Sequence, residues 1–287
     1  MQALGNDFII LEAVTQTLLL DSKLAKNLAD RHFGIGCDQV LLLEPPRNAQ
    51  EDFFYRIFNA DGEEVNQCGN GARCIGRFIL EKGLSQKKNL ILGTRQGPIH
   101  LAFNSPDIVT VLLPKPEFEP ERIPINPNTP IVPSYLGHYG LPFGNETKIA
   151  TVLSLGNPHC VFCVSNIQDI DLEALATKIH RLDFFLKGVN IGIMQILAKN
   201  HIKLRVFERG SGETLACGSG ACAAVIAGIC NNTLSTEVKV EMAGGAAIVN
   251  WPTPESPVSL SGDTKCVFEG FFVLQNQPNF NIMLQKH

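Results

Sequence analysis

The sequence predicts an α/β (α+β) fold of two pseudo-symmetric domains that arose by internal duplication. Three observations predict it: four matched positions recur at nearly one spacing, both halves show the same order of strand-like and helix-like segments, and residues 218–230 contain no charged side chain. A helix that is apolar on every face must be buried on every face. We therefore expect a sheet to wrap around a central helix in each half.

The repeat is the strongest of these observations. Its matched pairs are Asn6 with Asn157, Gln39 with Asn190, Asn59 with Glu208, and Cys68 with Cys217. The pairs lie 149 to 151 residues apart, and each cysteine opens a Cys-Gly-X-Gly-Ala phrase. Four matches in the same order indicate a duplicated unit.

The sequence of the first half predicts two helices and six strands. Residues 22–31 are typical of a helix capped by Asp21 or Ser22. A second helix is expected to begin just after Cys68 and to end at Gly83, because glycine suits the backbone that follows a helix. The β-rich runs predicted as strands are 7–12, 39–43, 53–58, 89–94, 98–103 and 108–113.

The second half repeats this order, after a segment of different composition. Its predicted elements are strands at 148–154, 160–164, 189–197 and 202–207, helices at 170–180 and 218–230, and further strands after the second helix. Residues 114–142 contain eight prolines, so this segment is expected to be an extended loop and linker. We place the first domain at 1–115, completed by a C-terminal strand at about 266–287, and the second at 116–265.

Composition excludes several classes of function. The net charge of -4 and the pI of about 6.0 disfavour a nucleic-acid partner. No apolar stretch reaches the roughly 18 residues of a membrane span, and the first residues lack the pattern of a signal peptide. The expectation is a cytoplasmic protein that binds a small molecule, with neither a membrane nor a nucleic acid as partner.

The nine cysteines are predicted to be free thiols, because their number is odd and the expected compartment is reducing. Cys160 and Cys163 form the single CxxC, but in a strand-like run residues three apart point to opposite faces, so no metal site is expected. Residues 218–223 match a G-x-G-x-x-A dinucleotide pattern weakly, because no strand directly precedes them.

Cys68 and Cys217 differ from the other cysteines in their context. Each lies between a glycine-rich turn and the start of a helix, where the thiol pKa is expected to fall and the thiolate to be favoured. The free N–H groups of a first helical turn can also bind a carboxylate. Inverting a stereocentre requires a base on one face of the carbon and an acid on the other, and a duplicated thiol supplies both.

Polar side chains at the other repeat-matched positions suit a zwitterionic amino acid. Amides provide both donors and acceptors, and they occupy five such positions: Asn6, Gln39, Asn59, Asn157 and Asn190. Arg209 could hold a carboxylate bidentately. Glu208 and His159 could bias a nearby thiol or bind an ammonium group.

The chain resembles the diaminopimelate epimerase family over nearly its whole length, from residue 5 to residue 270. The most specific motifs are Phe58-Asn-Ala-Asp-Gly62 with Cys68-Gly-Asn-Gly-Ala-Arg73, Gly156-Asn-Pro-His159, and Glu208-Arg-Gly-Ser-Gly-Glu-Thr214 with Ala216-Cys-Gly-Ser-Gly220. The resemblance implies two domains, each a β-barrel-like sheet around a central helix, with the site in the cleft between them.

The resemblance also implies interconversion of LL- and meso-2,6-diaminopimelate, in lysine and peptidoglycan precursor synthesis, with no cofactor and no metal. It implies that Cys68 donates and Cys217 accepts the proton, and that His159 and Glu208 tune the thiols. The implied substrate-binding residues are Asn6, Gln39, Asn59, Gly69, Asn70, Asn157, Asn190, Glu208, Arg209, Gly218 and Ser219.

The chain departs from the family pattern in four places. It has four residues before Gly5, where a fuller strand is usual, and it extends about thirteen residues beyond Leu274. It also carries Cys37 before Asp38, where a residue without a thiol is expected. Phe268 stands where the family has a tyrosine used in dimer contacts, so the implied homodimer would lack that group.

Two other hypotheses fit the same residues. One is another cofactor-free amino-acid racemase, such as one for proline, which would need no groups for a second amino-acid head. The other is a binding protein that kept the fold, which would have no need to retain both Cys68 and Cys217.

Overall fold

The computed structural model describes residues 1–65, 68–103, 105, 108–128, 137–143 and 146–272. The elements of the first half are β1 Gln2–Ala3, β2 Asn6–Glu12, α1 Ser22–Ala29, β3 Gln39–Glu44, β4 Phe53–Asn59, β5 Glu64–Val65, α2 Gly69–Glu81, β6 Asn89–Gly93, β7 Ile99–Phe103 and β8 Ile108–Leu113. The elements of the second half are β9 His138–Phe143, β10 Glu146–Ser154, β11 Pro158–Cys163, a short 3-10 turn Ile167–Asp169, α3 Leu172–His180, β12 Asn190–Ala198, β13 His201–Glu208, β14 Gly212–Thr214, α4 Gly218–Cys230, β15 Glu237–Met242, β16 Gly245–Asn250 and β17 Val258–Asp263.

The two halves have the same sheet topology, as the repeat predicts. In the first half β2 pairs in parallel with β3, β3 pairs antiparallel with β4, and β4 pairs with both β5 and β6. In the second half β11, β12, β13, β14 and β15 repeat these pairings with the same directions. The matched residues keep their register, since Phe8 lies opposite Gln39 and His159 lies opposite Asn190.

The halves join where β17 runs antiparallel to β8. The largest hydrophobic core includes buried residues of both halves, among them Ile75 of α2, Val225 of α4 and Leu260 of β17. Two smaller cores lie under α1 and around α3. The fold is therefore a mixed α/β fold dominated by sheet, as predicted, with two helices inside it and two outside.

Helix α4 is buried because its surface is small and apolar, whereas α2 also buries Arg73 and leaves Arg77 and Glu81 partly exposed. Ten of the thirteen residues of α4 are buried, as expected for a helix without charge. Glycines allow close contacts: a Cβ at Gly76 of α2 would lie 2.9 Å from Leu101. The sheet can therefore approach both inner helices closely.

Outer helix α1 follows the predicted capping. It begins at Ser22, with the Asp21 side chain accepting a hydrogen bond from the Leu24 N–H at 2.8 Å. It ends at Ala29, two residues before the predicted end. Gly83, expected to follow α2, lies just beyond its C-terminus with φ of +64°.

The predicted linker is wrong at its C-terminal end. Residues His138–Phe143 form β9, which includes Pro142. Within the described part of the chain β9 pairs with β10 alone, and proline is tolerated in such an edge strand because its missing donor faces away from the pairing. Residues 129–136 of the linker lie outside the described residues.

Other sequence predictions fall partly outside the described chain. Most of the predicted C-terminal strand, 273–287, is not described, and residues 266–272 form no strand. Lys265 nevertheless pairs with Gln2 beside β1, so the chain returns to the first half. The division at residue 115 stays a prediction. No helix within the described ranges is long and apolar enough to cross a membrane.

We predict that Gly62→Ala destabilises the fold more than Gly210→Ala, a control in the corresponding turn of the second half. Both glycines have positive φ, +87° and +88°, which costs an alanine roughly 1–2 kcal/mol. At Gly62 a Cβ would also lie 2.3 Å from the carbonyl oxygen of Ser22, whereas at Gly210 it would contact nothing. Urea denaturation of both variants measures the difference, and equal losses of unfolding free energy would contradict the close packing of α1 on this turn.

Candidate active site

Each of the two repeat-matched cysteines is the N-cap of an inner helix. Cys68 caps α2 with extended backbone, and its Sγ accepts a hydrogen bond from the Gly71 N–H at 3.3 Å. Cys217 caps α4 with similar backbone but without such a bond to its own helix. The duplication thus places one thiol at the same structural position in each half.

The two helix N-termini lie side by side over one residue of β17. A Cβ added at Gly69 would be 3.8 Å from the Leu260 Cδ2, and one added at Gly218 would be 2.8 Å from the same atom. A Cβ at Gly218 would also lie 3.8 Å from the Oδ1 of Asn70. Glycine at 218 is therefore needed for the close approach.

One large cleft is lined by nearly all the predicted site residues. These are Asn6, Gln39, Asn59, Cys68, Gly69, Asn70, Asn157, Glu208, Arg209, Cys217, Gly218 and Ser219. The cleft has a volume of about 1960 Å³, larger than the roughly 300–1,000 Å³ of most small-molecule pockets, so it is open. Asn190 and His159 are buried and do not line the cleft.

The thiols do not have the lowered pKa values that their helix positions predict. Loss of water contact raises the pKa of Cys68 to about 11, although the N–H of Gly71 acts in the opposite direction. Burial also raises the pKa of Cys217 well above its usual value, and the charge of Glu208 adds to that effect. Burial outweighs the helix amides, so the protein disfavours the thiolate form of both groups.

Cys217 has a carboxylate partner that Cys68 lacks at the matched position. Its Sγ donates to the Oε2 of Glu208 at 3.1 Å. The other oxygen, Oε1, accepts a hydrogen bond from the Thr214 hydroxyl at 2.7 Å. Because β13 and β14 form a tight hairpin, Thr214 holds Glu208 beside the thiol.

His159 reaches this thiol indirectly. Its Nε2 is 3.2 Å from the Oδ1 of Asn157, whose Nδ2 donates to the Ser219 hydroxyl at 3.3 Å. That hydroxyl lies 3.7 Å from the Sγ of Cys217. Burial lowers the pKa of His159 to about 3, so the ring is neutral at ordinary pH and orients Asn157 through a hydrogen bond.

The matching position in the first half, Asn6, is held by charged groups. Its Nδ2 donates to Asp38 at 2.7 Å, and its Oδ1 lies 3.9 Å from the Sγ of Cys68. Arg31 bonds to Asp38 and, through both terminal nitrogens, to Asp7. These hydrogen bonds from Arg31 hold the pKa of the Asp7 carboxyl below its usual value.

The remaining predicted residues line or support the cleft. Gln39 donates to the Oδ1 of Asn59 at 2.9 Å, while its own Oε1 is buried without a partner among the described residues. Asn190 accepts from the backbone N–H of Arg209 at 2.9 Å. The exposed Arg209 guanidinium donates to the carbonyl of Lys187.

Sequence reasoning assigned no role to three supporting groups. Thr214 and Arg73 belong to the quoted motifs, but their motif positions alone do not reveal what they contact. Asp38 lies outside the quoted motifs, directly after Cys37. Arg73 donates to Asn70 at 2.6 Å, so each of these three holds a residue of the cleft. Among the described residues, no group of three or more His, Cys, Asp or Glu side chains is arranged to hold a metal ion.

A comparison with family models matches residues 1–118 and 151–267 to a family described as diaminopimelate epimerase. The match includes both cysteine motifs. It omits residues 119–150, which include most of the proline-rich segment and all of β9.

Solved structures of related fold span nearly the whole chain. A phenazine biosynthesis protein of the PhzF family from Bacillus anthracis is 16% identical with a TM-score of 0.61, covering 92% of this chain and 92% of its own. A hydroxyproline epimerase from Agrobacterium vitis, with bound trans-4-hydroxy-L-proline, is 12% identical with a TM-score of 0.60, covering 91% and 87%. A methylitaconate-delta-isomerase is 11% identical with a TM-score of 0.61, covering 97% of both. At these identities the likeness shows the fold.

We predict that Glu208→Gln lowers the pKa of the Cys217 thiol, because the carboxylate both repels the thiolate and accepts a hydrogen bond from the thiol. The pH at which Cys217 is half-maximally alkylated by iodoacetamide should fall, on the order of one unit. Peptide mass spectrometry resolves this cysteine from the other eight. Glu213→Gln, at an exposed carboxylate on β14 that pairs with Arg205, is the control. An unchanged midpoint in Glu208→Gln would show that its charge does not act on the thiol.

Proposed function

The chain belongs to the diaminopimelate epimerase family, and we propose that it interconverts LL- and meso-2,6-diaminopimelate through Cys68 and Cys217. The observation that carries the proposal is the pair of N-cap thiols, one from each half, on the walls of one cleft. Such a pair suits a reaction that removes a proton from one face of a carbon and returns one to the other face.

In the proposed reaction, one of the two sulfurs carries a proton and the other is a thiolate, both before and after the transfer. One cysteine enters as thiolate and takes the α-proton, and the electron pair left on carbon delocalises into the adjacent carboxylate. The other cysteine then donates its proton to the opposite face and becomes the thiolate. From LL to meso, Cys217 accepts and Cys68 donates, as the resemblance implies, and the reverse direction exchanges these roles.

Glu208 suits the preparation of Cys217 for this step. Because Cys217 already donates to the Glu208 carboxylate at 3.1 Å, a proton can pass to that oxygen and leave a thiolate. Thr214 keeps the carboxylate in place. A bound α-ammonium group would lower the pKa of the Cys217 thiol and so oppose the effect of burial and of the Glu208 charge, because an adjacent positive charge favours the anion.

The α-carboxylate is proposed to bind between the helix N-termini. The residues there are Gly69 and Asn70 of α2, and Gly218 and Ser219 of α4. First-turn N–H groups and helix dipoles favour an anion at this point. The negative charge that develops on the carboxylate during proton removal would be stabilised by the same groups.

The amides suit the ammonium end of the substrate. Gln39 presents a buried oxygen with no partner among the described residues, and buried acceptors are rarely left unpaired. Asn6 and Asn157 lie near the two thiols. The distal amino-acid head is assigned to Asn59, Asn190 and Arg209, which requires Arg209 to leave the Lys187 carbonyl as the cleft closes.

The proposal includes a cellular setting. The reaction would serve lysine and peptidoglycan precursor synthesis in the cytoplasm, in a homodimer and without pyridoxal phosphate or metal. The side chain at the family's dimer-contact position, Phe268, is exposed in this single chain, which leaves it available for such a contact.

We predict that Cys68→Ala and Cys217→Ala each abolish conversion of LL- to meso-diaminopimelate by the purified protein, because each face of the carbon has one base. Cys163→Ala, which removes an exposed thiol outside the cleft, is the control and should retain activity. Substantial activity in either cleft variant would contradict the two-thiol mechanism. Wild-type racemisation of L-proline or trans-4-hydroxy-L-proline in place of diaminopimelate would instead change the substrate class.

We predict that Arg209→Lys weakens substrate binding although it keeps the charge. Lysine cannot form the planar two-point contact with a carboxylate, and loss of one charge-assisted hydrogen bond costs about 1.5–3 kcal/mol. KM for diaminopimelate should rise, whereas Arg181→Lys, at the end of α3, should leave it unchanged. Equal kinetics for wild type and Arg209→Lys would place Arg209 outside the substrate site.

A further inference from the structure

Arg73 is a fully buried cation in α2, one turn beyond Cys68, that the proposed mechanism does not use. Its Nη2 donates to the Oδ1 of Asn70 at 2.6 Å. Its Nε and Nη1 have no hydrogen-bond partner among the described residues. Because a buried guanidinium is costly unless it is fully paired, its retention at this position calls for an explanation.

The fold makes room for this side chain. A Cβ at Gly262 of β17 would lie 2.2 Å from the Nη1 of Arg73, so the strand accommodates the guanidinium because position 262 is glycine. The ionisable groups around the guanidinium are Cys68 and Cys74 of its own helix, Cys222 of α4 and Asp263 of β17. Cys222 occupies the matched position in the second half, so the cation is present on the Cys68 side alone.

The contact with Asn70 fixes which end of its amide is available. A guanidinium has donors and no acceptor, so the amide must turn its oxygen toward Arg73. The amide nitrogen is then the group left for a ligand. Asn70 lies in the first turn of α2 and lines the cleft, and there a fixed donor suits a carboxylate.

We propose that Arg73 is a positioning residue that holds Asn70 as a hydrogen-bond donor to the substrate carboxylate and supplies the buried positive charge that stabilises the Cys68 thiolate. This proposal rests on the proposed function. It extends the proposed function by placing opposite charges beside the two thiols. The Arg73 cation lies on the Cys68 side, and the Glu208 carboxylate lies beside Cys217.

The groups that face Cys68 allow Arg73 this role. Loss of water contact is the largest influence on its pKa and raises it, and Glu208 of β13 acts in the same direction. The amides of Gly71 and Asn70 lower the pKa, and the charge of Arg73 has a smaller effect in the same direction. The other ionisable neighbours of Cys68, Tyr55 of β4 and Cys74 of α2, carry no positive charge.

The test compares Arg73→Met, Arg73→Gln and Arg73→Lys with Arg77→Gln. Arg77 is a matched control, since it lies one turn further along α2 and its partly exposed side chain pairs with Glu81. The readout is the rate of Cys68 alkylation by iodoacetamide between about pH 7 and 10, resolved by peptide mass spectrometry, because the thiolate is the reactive form. Alkylation of Cys217 in the same samples corrects for changes in access to the cleft.

We expect Arg73→Met and Arg73→Gln to slow Cys68 alkylation about tenfold at a fixed pH, the change that one pKa unit produces. Arg73→Lys should restore most of the rate, and Arg77→Gln should match wild type. Thermal unfolding of Arg73→Met should occur at the same or a higher temperature, because an incompletely paired buried charge is removed. If Arg73→Met does not fold, the Gln and Lys variants carry the comparison.

Unchanged alkylation in folded Arg73→Gln would overturn the charge role. A tenfold decrease that Arg73→Lys does not restore would also overturn it, because the effect would then be one of packing. KM for diaminopimelate should rise in Arg73→Met through loss of the fixed Asn70 donor, and an unchanged KM would overturn that part. Since alkylation needs no substrate, a wild-type protein inactive on diaminopimelate would contradict the proposed function without affecting the result for Arg73.

Discussion

The structure depends on placing the N-termini of two buried helices next to each other. Both α2 and α4 are enclosed by sheet, both begin at a cysteine, and both start over Leu260 of β17. Because β17 joins β8 of the other half, the strand pair that unites the two halves also fixes the separation of the helices. The positions of the first-turn amides, of the two thiols and of the cleft that they line all follow from that arrangement.

Duplication provides the geometry, and the positions where the halves differ provide the chemistry. Asn59 of the first half corresponds to Glu208, which bonds to the Cys217 thiol. Arg73 corresponds to Cys222, so the buried cation has no counterpart in the second half. The two thiols therefore occupy equivalent places with opposite charged neighbours.

The sequence predicts the elements well where hydrophobic pattern and capping agree. Helix α4 has the bounds that the sequence predicts, because thirteen consecutive uncharged residues are typical of a buried helix. The short strands β5 and β14 were not predicted, since strands of two and three residues have no detectable periodicity and depend on pairing with β4 and β13. Strand β9 was obscured by Pro142, which is tolerated there because of its edge position.

The sequence predicts which residues form the candidate site better than it predicts the pKa values of the two thiols. The sequence, through its repeat and its family resemblance, identified twelve residues that line the cleft. It could not identify Thr214 as the group that orients Glu208, since that contact depends on the turn of a hairpin. It also predicted lowered thiol pKa values, because helix capping is visible in the sequence whereas the burial that outweighs it depends on the tertiary fold.

The central claim is that two thiols act on opposite faces of one α-carbon. The most direct test is early-time conversion of LL-diaminopimelate in deuterium oxide, with deuterium at the α-carbon measured separately in substrate and product. The two-thiol account predicts that the meso product carries one deuterium at the inverted carbon while unconverted substrate keeps its hydrogen, because the incoming proton comes from the second thiol. Product that retains the substrate's own hydrogen would show that a single group serves both faces, and would contradict the account.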